Sequence, residues 1–359
     1  MENTERFNLI REVGEEIITE EDLKTLLETK KHPIAYDGFE PSGVSIHIAQ
    51  GLLRAININK MTKAGCKFKI LVADWHAWAN NKMSGKLDHI QKVGKYLIEV
   101  WKACDMDLDN VEFVWASDIV KDDNYWKIVM TVARANSVDR IIRTSQIMGR
   151  SEKDSLSAAQ ILYPCMQAAD IFYLKADICQ LGLDQRKVNV LAREVSEKFG
   201  FYKPVIISHH MLMGLLEPPK GELDSIEKAI AMKMSKSKPD SAIFMNDTDA
   251  EIKRKISKAY CPQGEVKDNP ILEYCKYIIF EKFDKITVER PEKFGGNLEI
   301  NSYGELEKIY TEGKLHPMDL KNTVAKYLNE LLEPVRKKLE HNKTAQKLFE
   351  EIKGFEVTR

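Results

Sequence analysis

The chain has 359 residues, enough for one large or two ordinary domains, and its 43% hydrophobic and 30% charged content predicts a soluble globular protein. No apolar run reaches the ~20 residues of a membrane span, and the acidic N-terminus lacks the apolar stretch of a secretory leader. Net charge is −1, which excludes a globally basic nucleic-acid binder; such a partner would have to meet local patches such as 233–238, 253–258 or 336–343.

Six cysteines (Cys66, Cys104, Cys165, Cys179, Cys261, Cys275) are scattered without metal-ligand spacing and mostly in apolar surroundings. They read as reduced core residues, which makes the cytoplasm the expected compartment.

In chain order, residues 1–31 predict two helices, the second opened by Thr19 with Asp22 three residues on. Residues 32–37 predict a strand running into the turn-rich loop Gly38-Phe39-Glu40-Pro41-Ser42-Gly43. A helix over 46–63, a doubly buried strand over 68–74, an amphipathic helix over 86–104 and a strand over 111–116 follow. Residues 122 to about 160 are helical and interrupt this alternation as an insertion. Strands at 177–181 and 205–208 flank a helix over 186–199 that Gly200 stops.

The fold class is therefore α/β: a Rossmann-like parallel-sheet catalytic domain over 32–232, carrying a helical insertion at about 120–160, behind the N-terminal helical segment 1–31. A loop and linker at 233–247 lead to a smaller, all-helical C-terminal domain over 248–359.

Three features carry chemistry. Tyr163, Gln167 and Asp170 fall at i, i+4 and i+7 on a helix that is otherwise apolar, and such a polar stripe needs partners or a ligand. Whether Pro164 starts that helix or kinks a longer one begun near Ser157 is open from sequence. His47 stands at a helix start behind a glycine-containing loop, where exposed N–H groups suit phosphate. Lys233-Met234-Ser235-Lys236-Ser237 places two ammonium groups in a loop able to neutralise phosphoryl charge.

The complete KMSKS run and the partial HIGH-like run His47-Ile48-Ala49-Gln50 resemble the signatures of class I aminoacyl-tRNA synthetases. Ala49 replaces the glycine, and Gln50 replaces the second histidine with an uncharged hydrogen-bonding group. AYDGFEPSG, LYPCMQAADIFYL, LGLDQRK, AYCP, RPEKFGG and HPMDLK together are similar to the tyrosyl-tRNA synthetases of archaeal and eukaryotic cytosolic type, from about 35 to 340.

That resemblance implies ATP-dependent activation of L-tyrosine and its transfer to tRNA(Tyr), with Mg²⁺ accompanying ATP, no protein metal site and no membrane. It implies a homodimer joined through the insertion. Tyr36 and Asp170 would bond the substrate phenol, and Tyr163, Gln167 and Gln185 its ammonium group. Asp74, ending a buried strand, either joins that group or caps a chain end. Gly38, Gly43, His47, Gly182, Asp184, Lys233, Met234, Ser235 and Lys236 would contact ATP, with His47, Gln50, Lys233 and Lys236 acting in catalysis. Arg143, Arg186 and Lys187 would meet the tRNA acceptor stem, and Phe294, His316 and Asp319 the anticodon; His316 and Pro317 equally suit a helix cap.

The alternatives are the tryptophan-specific sibling, which the Tyr36 and Asp170 pair disfavours because an indole offers only a donor. A non-catalytic RNA-binding derivative is disfavoured by the lysines of KMSKS and by Asp184 and Gln185. A generic nucleotidyltransferase leaves the helical domain unexplained.

Overall fold

The structure is a computed structural model describing residues 1–149, 155–219, 221, 225–234 and 238–357. Its centre is a six-stranded sheet of β1 (Gly14–Ile18), β2 (Ile34–Phe39), β3 (Lys67–Val72), β4 (Val111–Trp115), β5 (Ile178–Gly182) and β6 (Val205–His209), in the order β1-β6-β5-β2-β3-β4. β2 to β6 run parallel, and β1 pairs antiparallel with β6. The chain moves outward from β2 through β3 to β4, then restarts at β5 on the other side of β2. The carboxyl ends of β2 and β5 therefore flank the crevice where such sheets bind ligands.

Strand alternation divides the core. Ala35, Phe39, Ile70, Val72, Ile178 and Ile207 point into one apolar cluster, which continues into the C-terminal helices through Ile252, Ile271, Leu320 and Leu332. Tyr36, Leu71, Cys179 and Leu181 point into a second cluster with the helices of the insertion. Both faces are covered, which is why β3 reads as a mostly apolar run.

The N-terminal segment is not purely helical. Helices Asn3–Val13 and Glu20–Thr29 flank β1, which extends the catalytic sheet. Thr19 caps the second helix by accepting from Asp22 N at 3.1 Å, as the sequence indicates. β1 escapes a pattern reading because Gly14, Glu15 and Glu16 fill most of it and leave only Ile17 and Ile18 apolar. Arg6 pins the segment down: its buried guanidinium donates to the carbonyls of Ala64 (2.7 Å), Leu27 (3.0 Å) and Lys31 (2.9 Å).

The insertion contains helices Asp123–Arg134 and Val138–Thr144. The next helix, Ala158–Tyr173, opens with a Ser157–Gln160 capping box and carries Pro164 inside it. Arg186–Phe199 is helical as expected, ended by Gly200 at φ 69°.

Within 214–240 the described residues include a helix at Ser225–Met232. The C-terminal region is helical at Asp249–Lys258, Pro270–Tyr274, Tyr303–Thr311, Pro317–His341 and Lys343–Ile352. It is not all-helical: β7 (Ile286–Val288) and β8 (Leu298–Ile300) form an antiparallel hairpin. Strands of three residues are too short to show a period. All six cysteines are free thiols, and no described helix is long and apolar enough to cross a membrane.

Candidate active site

The polar stripe on helix Ala158–Tyr173 faces inward. Tyr163, Gln167 and Asp170 are buried together with Tyr36 of β2, and Asp170 is 0% exposed. An unpaired carboxylate at that depth would cost several kcal/mol, on the order of the penalty for an isolated buried ion. Two side chains from other elements relieve it. The Tyr125 hydroxyl donates to Asp170 Oδ1 at 2.9 Å, and His76 Nε2 stands 2.9 Å from Oδ2.

Burial lowers the His76 pKa, but Asp170 beside it, with smaller contributions from Glu40 and Asp74, reverses this and raises the imidazole above its usual value. Burial, then the Asp170 charge, lifts the phenols of Tyr36 and Tyr125 well above their usual value. Both therefore stay neutral donors around one carboxylate.

Gln167 and Tyr163 lie one and two turns back from Asp170 along the helix. Gln167 Nε2 donates to Gln185 Oε1 at 3.1 Å, and Gln185 Nε2 donates to the Ile147 carbonyl at 3.1 Å. The Glu40 carboxylate lies near the Tyr163 phenol and accepts from Asn80 Nδ2 at 3.1 Å. His76 stacks edge-on against Tyr163 with ring centroids 5.1 Å apart. The result is a cavity wall with a carboxylate at each end, Asp170 deep and Glu40 nearer the loop.

Asp74 does something else. Its Oδ1 accepts from Trp75 N and Ser117 N, both at 3.0 Å, and its Oδ2 accepts from Gln91 Nε2 at 3.0 Å. With both oxygens occupied and no exposure, Asp74 ties the ends of β3 and β4 together.

The second half of the site lies where the HIGH-like segment meets the chain that leaves the KMSKS loop. Ile48 N donates to Ile243 O and Met245 N to Ile46 O, both at 2.9 Å, so that His47 and Phe244 form a β-bridge. A Cβ on Gly51 would overlap Met245 Sδ, so this contact requires glycine. Trp101 Nε1 donates to the Gln50 carbonyl at 2.7 Å, while the Gln50 Oε1 atom is buried with no hydrogen-bond partner.

Lys233 Nζ reaches Asp184 Oδ2 at 2.9 Å, joining the first KMSKS lysine to the acidic residue after β5. Met234 packs in the core, and Gly43 is buried. Ser235 and Lys236 lie outside the described residues. A Cβ on Gly182 would come within 2.7 Å of both Asp184 Oδ1 and Met211 Sδ, so glycine lets these two side chains pack against the end of β5. Gly38, at the end of β2, lies against the Tyr36 hydroxyl, 3.1 Å from where its Cβ would be.

Beneath these residues, Arg54 Nε pairs with Asp37 Oδ2 at 3.0 Å. Burial raises the Asp37 carboxyl to about 6 against the opposing pull of Arg54.

The residues expected to meet tRNA fall into two groups, one in the catalytic domain and one in the C-terminal region. Arg143 and Lys187 are exposed, and Lys187 bonds Gln146 Oε1. Arg186 is half-buried, its Nε between Glu16 Oε1 (2.9 Å) and Oε2 (2.7 Å) on β1. In the C-terminal region Phe294 is 60% exposed. His316 caps helix Pro317–His341 by accepting from Met318 N at 3.1 Å, with Pro317 in the first turn. Arg290 brackets Phe294 and His316, donating to the carbonyls of Gly296 (3.0 Å) and Lys314 (3.2 Å).

Sequence reasoning did not find His76, Tyr125 or Glu40 as pocket residues. His76 had a usable signal, since it follows the carboxyl end of β3, where ligands gather on parallel sheets. Glu40 sat in a loop already read as ligand-binding. Tyr125 offered none, because only the fold brings the insertion over Asp170.

Residues 28–333 match the family described as class I tRNA synthetases for W and Y. The chain is 54% identical over 357 residues to tyrosine–tRNA ligase 1, cytoplasmic, of Arabidopsis thaliana, covering 99% of this chain and 89% of that one. It superposes on the Pyrococcus horikoshii tyrosyl-tRNA synthetase complexed with L-tyrosine with a TM-score of 0.90 at 40% identity, covering 98% and 100% of the two chains. The Leishmania major tyrosyl-tRNA synthetase in complex with tyrosinol gives a TM-score of 0.89 at 44% identity over 98% of this chain, which spans only 52% of that longer one. Sequence, fold and pocket agree: the chain belongs to the class I tRNA synthetases for tryptophan and tyrosine, within the tyrosyl-tRNA synthetase group.

Proposed function

We propose that the chain is an ATP-dependent tyrosine–tRNA ligase acting in the cytoplasm on L-tyrosine and tRNA(Tyr). The observation that carries this reading is the fully buried Asp170 carboxylate, held by Tyr125 and His76, with the buried Tyr36 phenol near it. A substrate phenol donating to Asp170 and accepting from Tyr36 satisfies groups that an aliphatic or phenyl side chain would leave unpaired. Tyr163, Gln167 and Gln185 hold the ammonium group, and Glu40 supplies the opposite charge.

A tyrosine carboxylate oxygen attacks the α-phosphorus of ATP in line. The bond to the β,γ-pyrophosphate breaks, leaving tyrosyl-adenylate. A hydroxyl of the tRNA terminal ribose then attacks the activated carbonyl, and AMP departs. The protein forms no covalent bond, so its contribution is positioning and charge stabilisation. His47 and Gln50 serve the phosphate side from the HIGH-like turn, and Lys233 and Lys236 from the loop. Asp184 receives the ribose, Gly38, Gly43 and Gly182 allow close approach, and Met234 and Ser235 complete the wall. Mg²⁺ enters bound to ATP as part of the substrate.

Arg143, Arg186 and Lys187 face the acceptor stem; Phe294 stacks on an anticodon base, with His316 and Asp319 beside it. The homodimer forms through the insertion. Support for that surface comes from exposed Met130 (53%), Val138 (61%) and Trp78 (45%), beside a cavity of about 650 Å³ lined by Trp75, Trp126, Leu162 and Met166.

ATP–pyrophosphate exchange supplied with tyrosine, tryptophan or no amino acid tests the reading. Exchange that depends on tyrosine supports it, and exchange with tryptophan, or with neither, overturns it.

A further inference from the structure

His209 is the last residue of β6 and pairs directly with Gly182 of β5. Its side chain lies on the Gly182 side of the sheet, with Nε2 3.5 Å from the position a Cβ on Gly182 would occupy. Asp184 Oδ1 and Met211 Sδ crowd that same point, each at 2.7 Å. On the other side of the ring, Gln180 Nε2 approaches His209 Nδ1 at 2.6 Å. An amide nitrogen can only donate, so Nδ1 accepts and the ring proton sits on Nε2. Among the described residues Nε2 has no hydrogen-bond partner of its own, and His209 is half-buried.

We propose that His209 is a nucleotide-binding residue, a neutral imidazole whose Nε2–H, fixed in place by Gln180, donates to an acceptor on the adenosine moiety of ATP beside Asp184. This rests on the reading that Gly182 and Asp184 receive adenosine. Neutrality follows from the surroundings. Burial and the nearby Arg54 cation, with a lesser contribution from His210, outweigh Asp184 and Glu15 and lower the His209 pKa to about 4.

A neutral ring suits a base or ribose acceptor, whereas a phosphate is better met by a cation. A cationic ring would instead compete with Lys233 for Asp184, which is the carboxylate that the nucleotide needs. Gln180 acts through His209 and is a positioning residue. Met211 closes the apolar side of the same surface.

The test is ATP–pyrophosphate exchange in His209→Leu, His209→Gln, Gln180→Leu and the double variant Gln180→Leu/His209→Leu, with Asp184→Ala as the reference for the nucleotide site. Tyrosine binding without ATP is measured in each. His209→Leu is expected to raise KM for ATP about tenfold, the effect of one lost hydrogen bond, with tyrosine affinity changed less than about twofold. His209→Gln, which keeps a donor, recovers most of the loss. Gln180→Leu gives a smaller rise and adds nothing to His209→Leu.

If His209→Leu leaves KM for ATP unchanged while Asp184→Ala raises it, the role of His209 is overturned and the site stands. If neither variant changes KM for ATP, the nucleotide site itself is misplaced and the inference falls with it. Equal loss of tyrosine affinity in the Leu and Gln variants would mark His209 as structural and also overturn the proposal.

Discussion

The two halves of the cleft are built on opposite plans. On the amino-acid side, Asp170, His76, Tyr125, Tyr163, Gln167, Gln185 and Asn80 are tied to one another, to Glu40 or to backbone before any substrate arrives. On the nucleotide side, charges meet across separate chain segments: Lys233 on Asp184, and Arg54 on Asp37. The first arrangement selects by shape and fixed donors and needs little rearrangement. The second holds its cation on its own anion, and on the proposed function ATP replaces the Lys233–Asp184 contact to use both partners. Selection is preorganised, while chemistry waits for the nucleotide.

Breaking the preorganised half has the largest expected effect. Asp170→Ala removes the phenol acceptor and leaves Tyr125 and His76 without their partner. The preference for tyrosine over phenylalanine in exchange should fall by about 10²–10³-fold, from the loss of a buried charged hydrogen-bond group. If discrimination persists, the pocket is elsewhere.

Breaking the other half should affect rate and spare selection. Lys233→Gln is expected to slow adenylate formation by roughly 10²-fold, the scale of one lost charge-stabilising donor. Tyrosine affinity measured without ATP should hold. A comparable loss of tyrosine affinity would mean the two halves are not separable.

Glu40→Gln sharpens the comparison within the pocket. It removes the charge opposite the ammonium group while keeping an acceptor for Tyr163 and Asn80. Tyrosine KM should rise about tenfold, on the scale of a hydrogen bond to a charged group. A tyrosine analogue lacking the amino group should bind both proteins equally, and an equal loss for that analogue would place Glu40 outside the ammonium site.

The last prediction concerns stability and not activity, in the scaffold behind the nucleotide half. His210 links β6 to the N-terminal segment through Glu15 (3.1 Å) and to the C-terminal region through Glu273 (3.0 Å), stacked on Tyr277. Burial alone would lower its pKa, but the hydrogen bonds to Glu15 and Glu273 raise it to about 9. A folded-state pKa above the unfolded value of about 6.5 gives stability that is complete below that pH and is lost as pH rises through about 9. The contribution is on the order of 3 kcal/mol. Urea unfolding at pH 6 and pH 10 should show this loss in the native protein and not in His210→Asn. Parallel profiles for the two proteins would remove His210 from the account.

The sequence was most legible where burial leaves a pattern. β3 reads as an apolar run because both faces are covered, and helix Arg186–Phe199 is bounded by its own periodicity and Gly200. The stripe Tyr163, Gln167 and Asp170 was visible for the converse reason, as polar residues on an apolar helix. What was hidden depends on contacts distant in the chain. Tyr125 reaches Asp170 across 45 positions and Lys233 reaches Asp184 across 49, and neither pair leaves a local trace. β1 is hidden because its sequence, Gly14-Glu15-Glu16-Ile17-Ile18, is mostly glycine and acidic residues. Asp74 was ambiguous because a carboxylate at a strand end serves a ligand or the backbone equally well, and here it serves the backbone.

The most direct test of the division between halves is calorimetric titration of the protein without ATP, using tyrosine and then phenylalanine. The account predicts saturable, one-to-one binding of tyrosine per active site and at least about 100-fold weaker binding of phenylalanine, because Asp170 and its partners are already in place. Equal binding of the two amino acids, or tyrosine binding only after ATP is added, would contradict it.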